Sequence, residues 1–167
     1  MNIEYKELFL KYLALLHQLI ELVEVSDNSA ELLKARLVDD MFGLNVQVKV
    51  ATNFALRGGC SLSGINYKEL DIDVESFQGI KAYIIGAITQ LNTLDNGPLA
   101  LSKTNICDTA GLTDISLPRS VYLSSFVLPN FFFHMSMVYA IAKCHGVAVT
   151  KGDFDGIHQY PKGFSWE

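Results

Sequence analysis

Apolar residues recur at three- and four-residue steps through several separate stretches of this chain. The first such stretch runs from Tyr5 to about Val25 and includes Phe9, Leu16 and Leu19. This spacing is the period of a helix that buries one face. It therefore predicts a first amphipathic helix that packs against the rest of the protein.

A second periodic stretch follows a turn at residues 26–29, which offers several candidate N-cap residues. Its apolar positions step by three or four, at Leu33, Leu37, Met41, Leu44, Val48, Ala51 and Ala55. The pattern predicts one uninterrupted helix that ends at Gly58 and Gly59. Gly43 lies inside it, where glycine costs about 1 kcal/mol relative to alanine but lets another helix approach closely.

A third helix and a hairpin are predicted in the middle of the chain. Residues 74–91 resume the helical period, and residues 92–98 break it. Apolar and polar residues then alternate at 99–103 and 113–117, on either side of a turn-rich stretch at 108–111, which predicts a short β-hairpin. Because a two-stranded ribbon is marginal by itself, we expect this hairpin to lean on the helices.

The last helix is predicted around the segment Leu128-Pro129-Asn130-Phe131-Phe132-Phe133-His134. Pro129 suits a first helical turn, where its missing N–H is harmless, and a kinked continuation of a helix from Ser120 is the alternative. Gly146 stands at the position of a C-cap glycine. Together the elements predict an all-α fold: a single four-helix-bundle domain over residues 1–167, with a crossover connection and a short β-hairpin before the last helix.

Composition and charge narrow the class of protein. Half of the 167 residues are hydrophobic and 19% are charged, which indicates a compact globular chain rather than a disordered one. The net charge of −5 and the absence of adjacent basic residues argue against a nucleic-acid partner. No signal peptide is evident and no uninterrupted apolar run approaches the ~20 residues of a membrane span, so we expect a soluble, cytoplasmic protein. The three cysteines lack close pairs, which favours reduced, structural thiols.

The strongest candidate for chemistry is His134, which shares a helical face with Val138, Ile141 and His145. Two interpretations stay open: a hydrogen-bonded core histidine, or a ligand-contacting or catalytic imidazole whose pKa is tuned by burial. A catalytic base also needs an orienting partner. The polar residues on or beside the predicted inner faces are Asp40, Asn45, Gln47, Asn53 and Asn130.

Spacing argues against a metal site and against common catalytic motifs. Metal sites in bundles often use two ligands three or four residues apart, but Val138 follows His134 at four. His145 lies about 16 Å further along the helix axis. The adjacent residues Asp39 and Asp40 cannot both face inward, and neither a Gly-x-Ser-x-Gly motif nor a P-loop is present.

The consecutive rings of Phe131, Phe132 and Phe133 spread over more than half of a helix circumference. One face of that helix enters the bundle, and the surplus aromatic surface favours a homodimer contact or coverage by the C-terminal tail, residues 151–167.

The segment 128–134, with Tyr139-Ala140-Ile141 and Gly146-Val147, resembles a bacterial family of unknown function within the DinB/YfiT-like superfamily of candidate metalloenzymes. Residues 35–37, 40–42 and 47–48 resemble its second helix, and residues 151–154 resemble its ending. The resemblance implies an often dimeric bundle whose better-known relatives hold a divalent metal with three histidines, some for thiol transfer or hydrolysis. Of those histidines His134 carries over, while Val138 and the neighbourhood of Asn53 and Phe54 stand at the other two positions.

We therefore expect a DinB-like bundle without the full metal triad and without a cofactor, which binds a small molecule or acts as a homodimeric interaction protein. The expected ligand-binding residues are His134, Asn130, Asp40, Asn53 and Gln47. The alternative is a metal-dependent enzyme for thiol transfer or hydrolysis that uses His134, helped by Asp40, Gln47 or Asn53. No catalytic residue is assigned, and neither nucleic acid nor a membrane is an expected partner.

Overall fold

The structure is a computed structural model that describes residues 5–94 and 104–161. Its elements in chain order are α1 (Tyr5–Glu24), α2 (Ser29–Leu32), α3 (Leu44–Leu62), α4 (Phe77–Asn92), β1 (Ile106–Ala110), β2 (Thr113–Leu117), α5 (Arg119–Val121), a π-helical segment (Tyr122–Val127), α6 (Leu128–Cys144) and α7 (Lys151–Asp155). The first, third and last predicted helices are confirmed as α1, α4 and α6.

The four long helices pack as a bundle around one apolar core. α3 packs against α6 and α4, and α1 packs against α4 and α6. Because α4 and α6 occupy opposite positions in this arrangement, the connection between them crosses the bundle. An edge-to-face contact of Phe9 in α1 with Phe131 in α6, with ring centroids 5.6 Å apart, closes the core between those two helices.

The prediction of one uninterrupted second helix is wrong. Residues 33–43 form an irregular segment between α2 and α3, and Gly43, in an extended conformation, is the N-cap of α3. The N–H groups of Leu44 and Asn45 donate to the carbonyls of Ala35 and Leu33, so this segment satisfies donors that a helix start leaves unpaired. Leu33, Ala35 and Leu37 pack on the core from this segment at two-residue steps, so their burial does not require a helix.

The interpretation of Gly58 and Gly59 as a helix stop is also wrong, because α3 continues to Leu62. Both glycines are buried. A Cβ atom at Gly58 would lie 2.5 Å from Cγ1 of Val127, and one at Gly59 would lie 2.4 Å from Cδ2 of Leu91. These two positions therefore let neighbouring helices approach α3 closely, the role that the sequence had suggested for Gly43.

The hairpin is present, and its second strand is β2 as predicted. Its first strand is β1, in antiparallel register that pairs Ile106 with Leu117 and Ala110 with Thr113. The stretch predicted as the turn, residues 108–111, lies largely in β1, and the chain reverses at Gly111 and Leu112. The predicted first strand, residues 99–103, lies outside the described residues.

The last helix begins before Pro129, as in the alternative of a continuation from the region of Ser120. Helical structure is continuous over Arg119–Cys144, with the π-helical segment just before Pro129. The side-chain amide of Asn130 donates to the carbonyl of Phe126 at 2.7 Å, next to the point where proline supplies no N–H. Gly146 has φ +83 and follows the helix, and the N–H of Val147 donates to the carbonyl of Ala142, which confirms the predicted glycine cap.

This 26-residue helical run has the length and composition of a membrane-spanning helix, with 33% of its most apolar window buried. It contains no uninterrupted apolar run of about 20 residues, so the criterion of an unbroken apolar stretch does not detect it. The core helix of a bundle has the same length and composition, and this run packs along α3.

The C-terminal tail covers part of the aromatic surface. Phe154 in α7 lies 6.3 Å from Tyr12 and 6.1 Å from Tyr139, ring centroid to ring centroid. Phe132 packs edge-on against Tyr12 at 4.8 Å. Phe133 stays 51% exposed, so the tail as far as residue 161 does not cover it.

Candidate functional site

His134 meets Gln47 where α3 and α6 pack together. The Nδ1 atom of His134 lies 2.7 Å from Oε1 of Gln47, although 87 positions separate the two residues. His134 is half-buried and the Gln47 side chain is buried. Of the predicted ligand-binding residues, the structure brings these two into direct contact.

The hydrogen bonds of Gln47 determine the proton position on the imidazole. Nε2 of Gln47 donates to the carbonyl of Phe42 at 3.3 Å, which turns the amide oxygen toward the histidine. An amide oxygen only accepts, so Nδ1 of His134 must carry the hydrogen. In neutral His134 the lone pair therefore lies on Nε2, which has no hydrogen-bond partner within residues 5–94 and 104–161.

Burial favours this neutral form. Desolvation lowers the pKa of His134 from its ordinary value of 6.5. No carboxylate contacts the ring among the described residues to offset that effect. The imidazole is therefore an uncharged side chain with one acceptor nitrogen available.

Aromatic rings surround the imidazole. Phe54 lies nearly parallel to it, with ring centroids 5.9 Å apart, and Phe42 lies nearly parallel at 6.4 Å. Phe133 approaches edge-on at 5.1 Å. Phe42 is 53% exposed and Phe133 is 51% exposed, so apolar surface borders the acceptor nitrogen. We call Phe42, Gln47, Phe54, Phe133 and His134 the histidine patch.

The other three predicted residues lie outside this patch or serve other contacts. Asn130 donates to the backbone of the π-helical segment. Asp40 is exposed in the irregular segment before α3. Asn53 accepts a 2.6 Å hydrogen bond from the hydroxyl of Tyr83, beside an ion pair of Lys49 with Glu69 whose atoms are 2.7 Å apart. The pKa of Glu69 is lowered, mainly by the hydrogen bond that its carboxylate accepts from Lys49.

The residues of the patch do not fit a three-histidine metal centre. Besides His134 they offer one amide and three phenylalanine rings, and zinc and related ions require imidazole, thiolate or carboxylate ligands. Within the part of the chain that the structure describes, no group of three His, Cys, Asp or Glu side chains could hold a metal ion. At the position that the resemblance assigns to a second histidine, near Asn53 and Phe54, the ring of Phe54 stacks on His134. The polar contact of His134 comes from Gln47 instead.

A second polar cluster, which the sequence did not indicate, lies toward the other end of α3. Arg57 forms an ion pair with Asp108 in β1, and the hydroxyl of Tyr122 donates to the second carboxylate oxygen at 2.6 Å. The guanidinium also donates to the carbonyl of Thr109 at 2.8 Å. The 51 positions between Arg57 and Asp108 left no local spacing signal that could have revealed this pair.

Fold and site together define a DinB-like four-helix bundle in which His134 is paired with glutamine. A DinB family member protein from Shewanella denitrificans has a similar structure, with a TM-score of 0.79 and 25% sequence identity over 93% of this chain and 92% of that chain. Residues 5–155 match the family described as a domain of unknown function, DUF1993, and the chain belongs to that family. No curated protein matches the sequence.

Proposed function

We propose that the histidine patch binds a small organic molecule that combines a planar apolar part with a hydrogen-bond donor. The observation that carries this proposal is the 2.7 Å contact of Nδ1 of His134 with Gln47. It leaves Nε2 as a fixed acceptor, and the half-exposed rings of Phe42 and Phe133 offer apolar contact beside it. Small-molecule sites commonly combine apolar walls with a few oriented polar groups.

Binding is favoured over catalysis because the patch supplies only one titratable group. A general base works with a second group that stabilises developing charge or activates the substrate. Gln47 uses both ends of its amide on His134 and Phe42. The alternative of a metal-dependent enzyme that uses His134 lacks further ligands in the patch.

Phenol and anisole form a matched pair of probes for this proposal. Both carry a six-membered aromatic ring, but only phenol donates a hydrogen bond. We expect phenol titration to shift the Nε2 resonance of ¹⁵N-labelled His134, with two- to tenfold tighter binding than anisole, the equivalent of about 0.5–1.5 kcal/mol for one hydrogen bond. His134→Phe keeps a ring and removes the acceptor, so the preference for phenol should disappear. Equal affinities for both probes in the unaltered protein would refute the proposal.

A second candidate function, a homodimeric interaction protein, is favoured by the apolar character of the last helical run. Only 33% of its most apolar window is buried, and Phe133 is half-exposed. In this proposal the protein is soluble and cytoplasmic, and a second copy covers Phe133. Sedimentation equilibrium should then show a dimer that Phe133→Ser weakens and Leu112→Ser, at the fully exposed hairpin tip, leaves intact. A monomer at all concentrations, or recovery of the protein with membranes, would contradict this second candidate.

A further inference from the structure

An open cleft of about 480 Å³ lies between the end of α3, the loop after it and strand β1. The residues of its lining that matter here are Arg57, Ser61, Tyr67, Cys107, Asp108 and Arg119. We call this the arginine cleft. Its volume is within the range of roughly 300–1,000 Å³ that small-molecule sites occupy.

The cleft carries more positive than negative charge. Its charged lining residues, within the described part of the chain, are Arg57, Asp108 and Arg119. Asp108 is already bonded to Arg57 on one carboxylate oxygen and to Tyr122 on the other. That carboxylate is therefore neutralised within the protein, and the charge of Arg119 is not balanced by another lining residue.

Two buried hydrogen-bond donors of the lining lack partners among the described residues. The hydroxyl of Tyr67 and Nε of Arg119 are buried and make no hydrogen bond within residues 5–94 and 104–161, while Nη2 of Arg119 donates to the carbonyl of Leu62. Burial is the main cause that raises the pKa of Tyr67 to about 12, so its phenol keeps a proton at neutral pH. Buried donors without partners are uncommon and invite an explanation such as a missing ligand.

We propose that the arginine cleft binds the oxyanion of a small molecule, with Tyr67 and Arg119 as its hydrogen-bond donors. A carboxylate or phosphate oxygen accepts from both groups, and charge-assisted bonds of this kind are stronger than neutral ones. Because both donor atoms are buried, binding in this proposal requires the two side chains to turn toward the cleft. Arg57 stays on Asp108 as a neutral pair, which leaves Arg119 as the net positive charge of the wall.

This site is separate from the histidine patch and does not depend on the function proposed there. Gln47 and Arg57 are ten residues apart on α3, which corresponds to about 15 Å along the helix axis. The cleft lining contains none of the residues of the histidine patch.

Inorganic phosphate and succinate are the probes, with sodium chloride at matched ionic strength as the reference. We expect one or both anions to raise the melting temperature above the chloride reference and to bind in a calorimetric titration. The succinate arm reports a carboxylate ligand and the phosphate arm reports a phosphate ligand. Equal stabilisation by all three salts would overturn the proposal.

Conservative variants locate the binding. Tyr67→Phe removes one oxygen atom and should weaken anion binding at least threefold, and Arg119→Gln should weaken it at least tenfold. Thr52→Val is the matched control, since Oγ1 of Thr52 is also buried without a partner in the described part of the chain but lies outside the cleft lining. If Arg119→Gln does not fold, Tyr67→Phe alone decides. Unchanged affinity in Tyr67→Phe, or an equal loss in Thr52→Val, would contradict the assignment.

The cysteines supply a second readout in the unaltered protein. Cys107 and Cys144 are both exposed, but only Cys107 lines the cleft, and Cys144 lies at the end of α6. We expect phosphate or succinate to slow the alkylation of Cys107 by iodoacetamide at least threefold and to leave Cys144 unchanged. Equal effects on both thiols, or none on Cys107, would place any bound anion elsewhere and reject the proposal.

Discussion

The histidine patch and the arginine cleft sit near opposite ends of α3 and are held together by different forces. In the patch, one neutral hydrogen bond and three aromatic rings surround His134. In the cleft, an ion pair and a tyrosine hydroxyl fasten strand β1 to the helices through Asp108. The patch presents an acceptor atom and the cleft presents donors, so the two sites suit ligands of opposite hydrogen-bonding character.

The two sites differ in how much their polar contacts contribute to stability. The patch is built from side chains that the bundle would bury or half-bury in any case, so its polar pair adds little to stability. Asp108 links the hairpin to both α3 and the π-helical segment, and its removal leaves Arg57 without its counter-charge and the hydroxyl of Tyr122 without this acceptor. We therefore expect the loss of Asp108 to alter stability more than changes in the patch.

The largest expected effect is that of Asp108→Ala. The side chains of Asp108 and Arg57 are 13% and 25% exposed, so the change leaves a mostly buried guanidinium uncompensated and should cost about 3 kcal/mol in the free energy of unfolding. The control is Lys34→Ala in the exposed pair of Lys34 with Glu75, which should cost less than about 1 kcal/mol. Urea unfolding measures both. A cost for Asp108→Ala no larger than that of His134→Ala would break the comparison between the two sites.

A smaller loss is expected from Gly58→Ala, which acts beside the cleft. The new Cβ would lie 2.5 Å from Cγ1 of Val127, at the end of the π-helical segment. Overpacking of about 1–3 kcal/mol outweighs the gain in helix propensity of about 1 kcal/mol, so a net cost of up to about 2 kcal/mol follows. Adding Val127→Ala makes room for the methyl group. The double variant should therefore be less destabilised than the sum of the two single variants, and strict additivity would show that the close contact is unimportant.

The sequence predicted those parts of the molecule in which local period and tertiary packing agree. α1, α4 and α6 bury continuous apolar stripes, and the glycine after α6 adopts the left-handed conformation that its position required. The prediction of the second helix failed because Leu33 and Leu37 are four residues apart, as in a helix, although they pack on the core from an irregular segment. The spacing of apolar residues indicates which side chains are buried, but here it did not distinguish a helix from an irregular segment.

The sites were predictable only in part, because both depend on contacts between distant residues. His134 stood out as a polar residue on an apolar face, and Gln47 was among its candidate partners. Their pairing over 87 positions, and that of Arg57 with Asp108 over 51, requires the packing of α3 against α6 and against the hairpin. Phe42 was missed as a ring neighbour of His134 because it lay inside the helix that the sequence wrongly predicted.

The pH dependence of stability tests the description of the patch. Burial lowers the pKa of His134 in the folded state below the value of about 6.5 in the unfolded state. Below that pH the unfolded state binds more protons than the folded state, so stability falls as the pH drops from about 6.5 toward the folded-state pKa. His134→Gln should flatten this part of the curve of unfolding free energy against pH. His145→Gln, at the exposed end of the same helix, is the matched change and should leave it intact; an identical flattening in both variants would contradict the prediction.

The smallest expected effect is a gain of stability from Tyr67→Phe in protein without bound anion. A buried hydroxyl without a partner loses its bonds to water and receives none in return, so its removal should raise the free energy of unfolding by roughly 0.5–1 kcal/mol. Thr52→Val removes a second hydroxyl of this kind among the described residues and should give a similar gain. The two variants then diverge in saturating phosphate or succinate, because only Tyr67→Phe forfeits a bond to the anion. Differential scanning calorimetry with and without anion measures this divergence. A loss of stability for Tyr67→Phe in both conditions would mean that the hydroxyl has a partner within the protein. The arginine cleft would then be a structural cluster rather than a binding site.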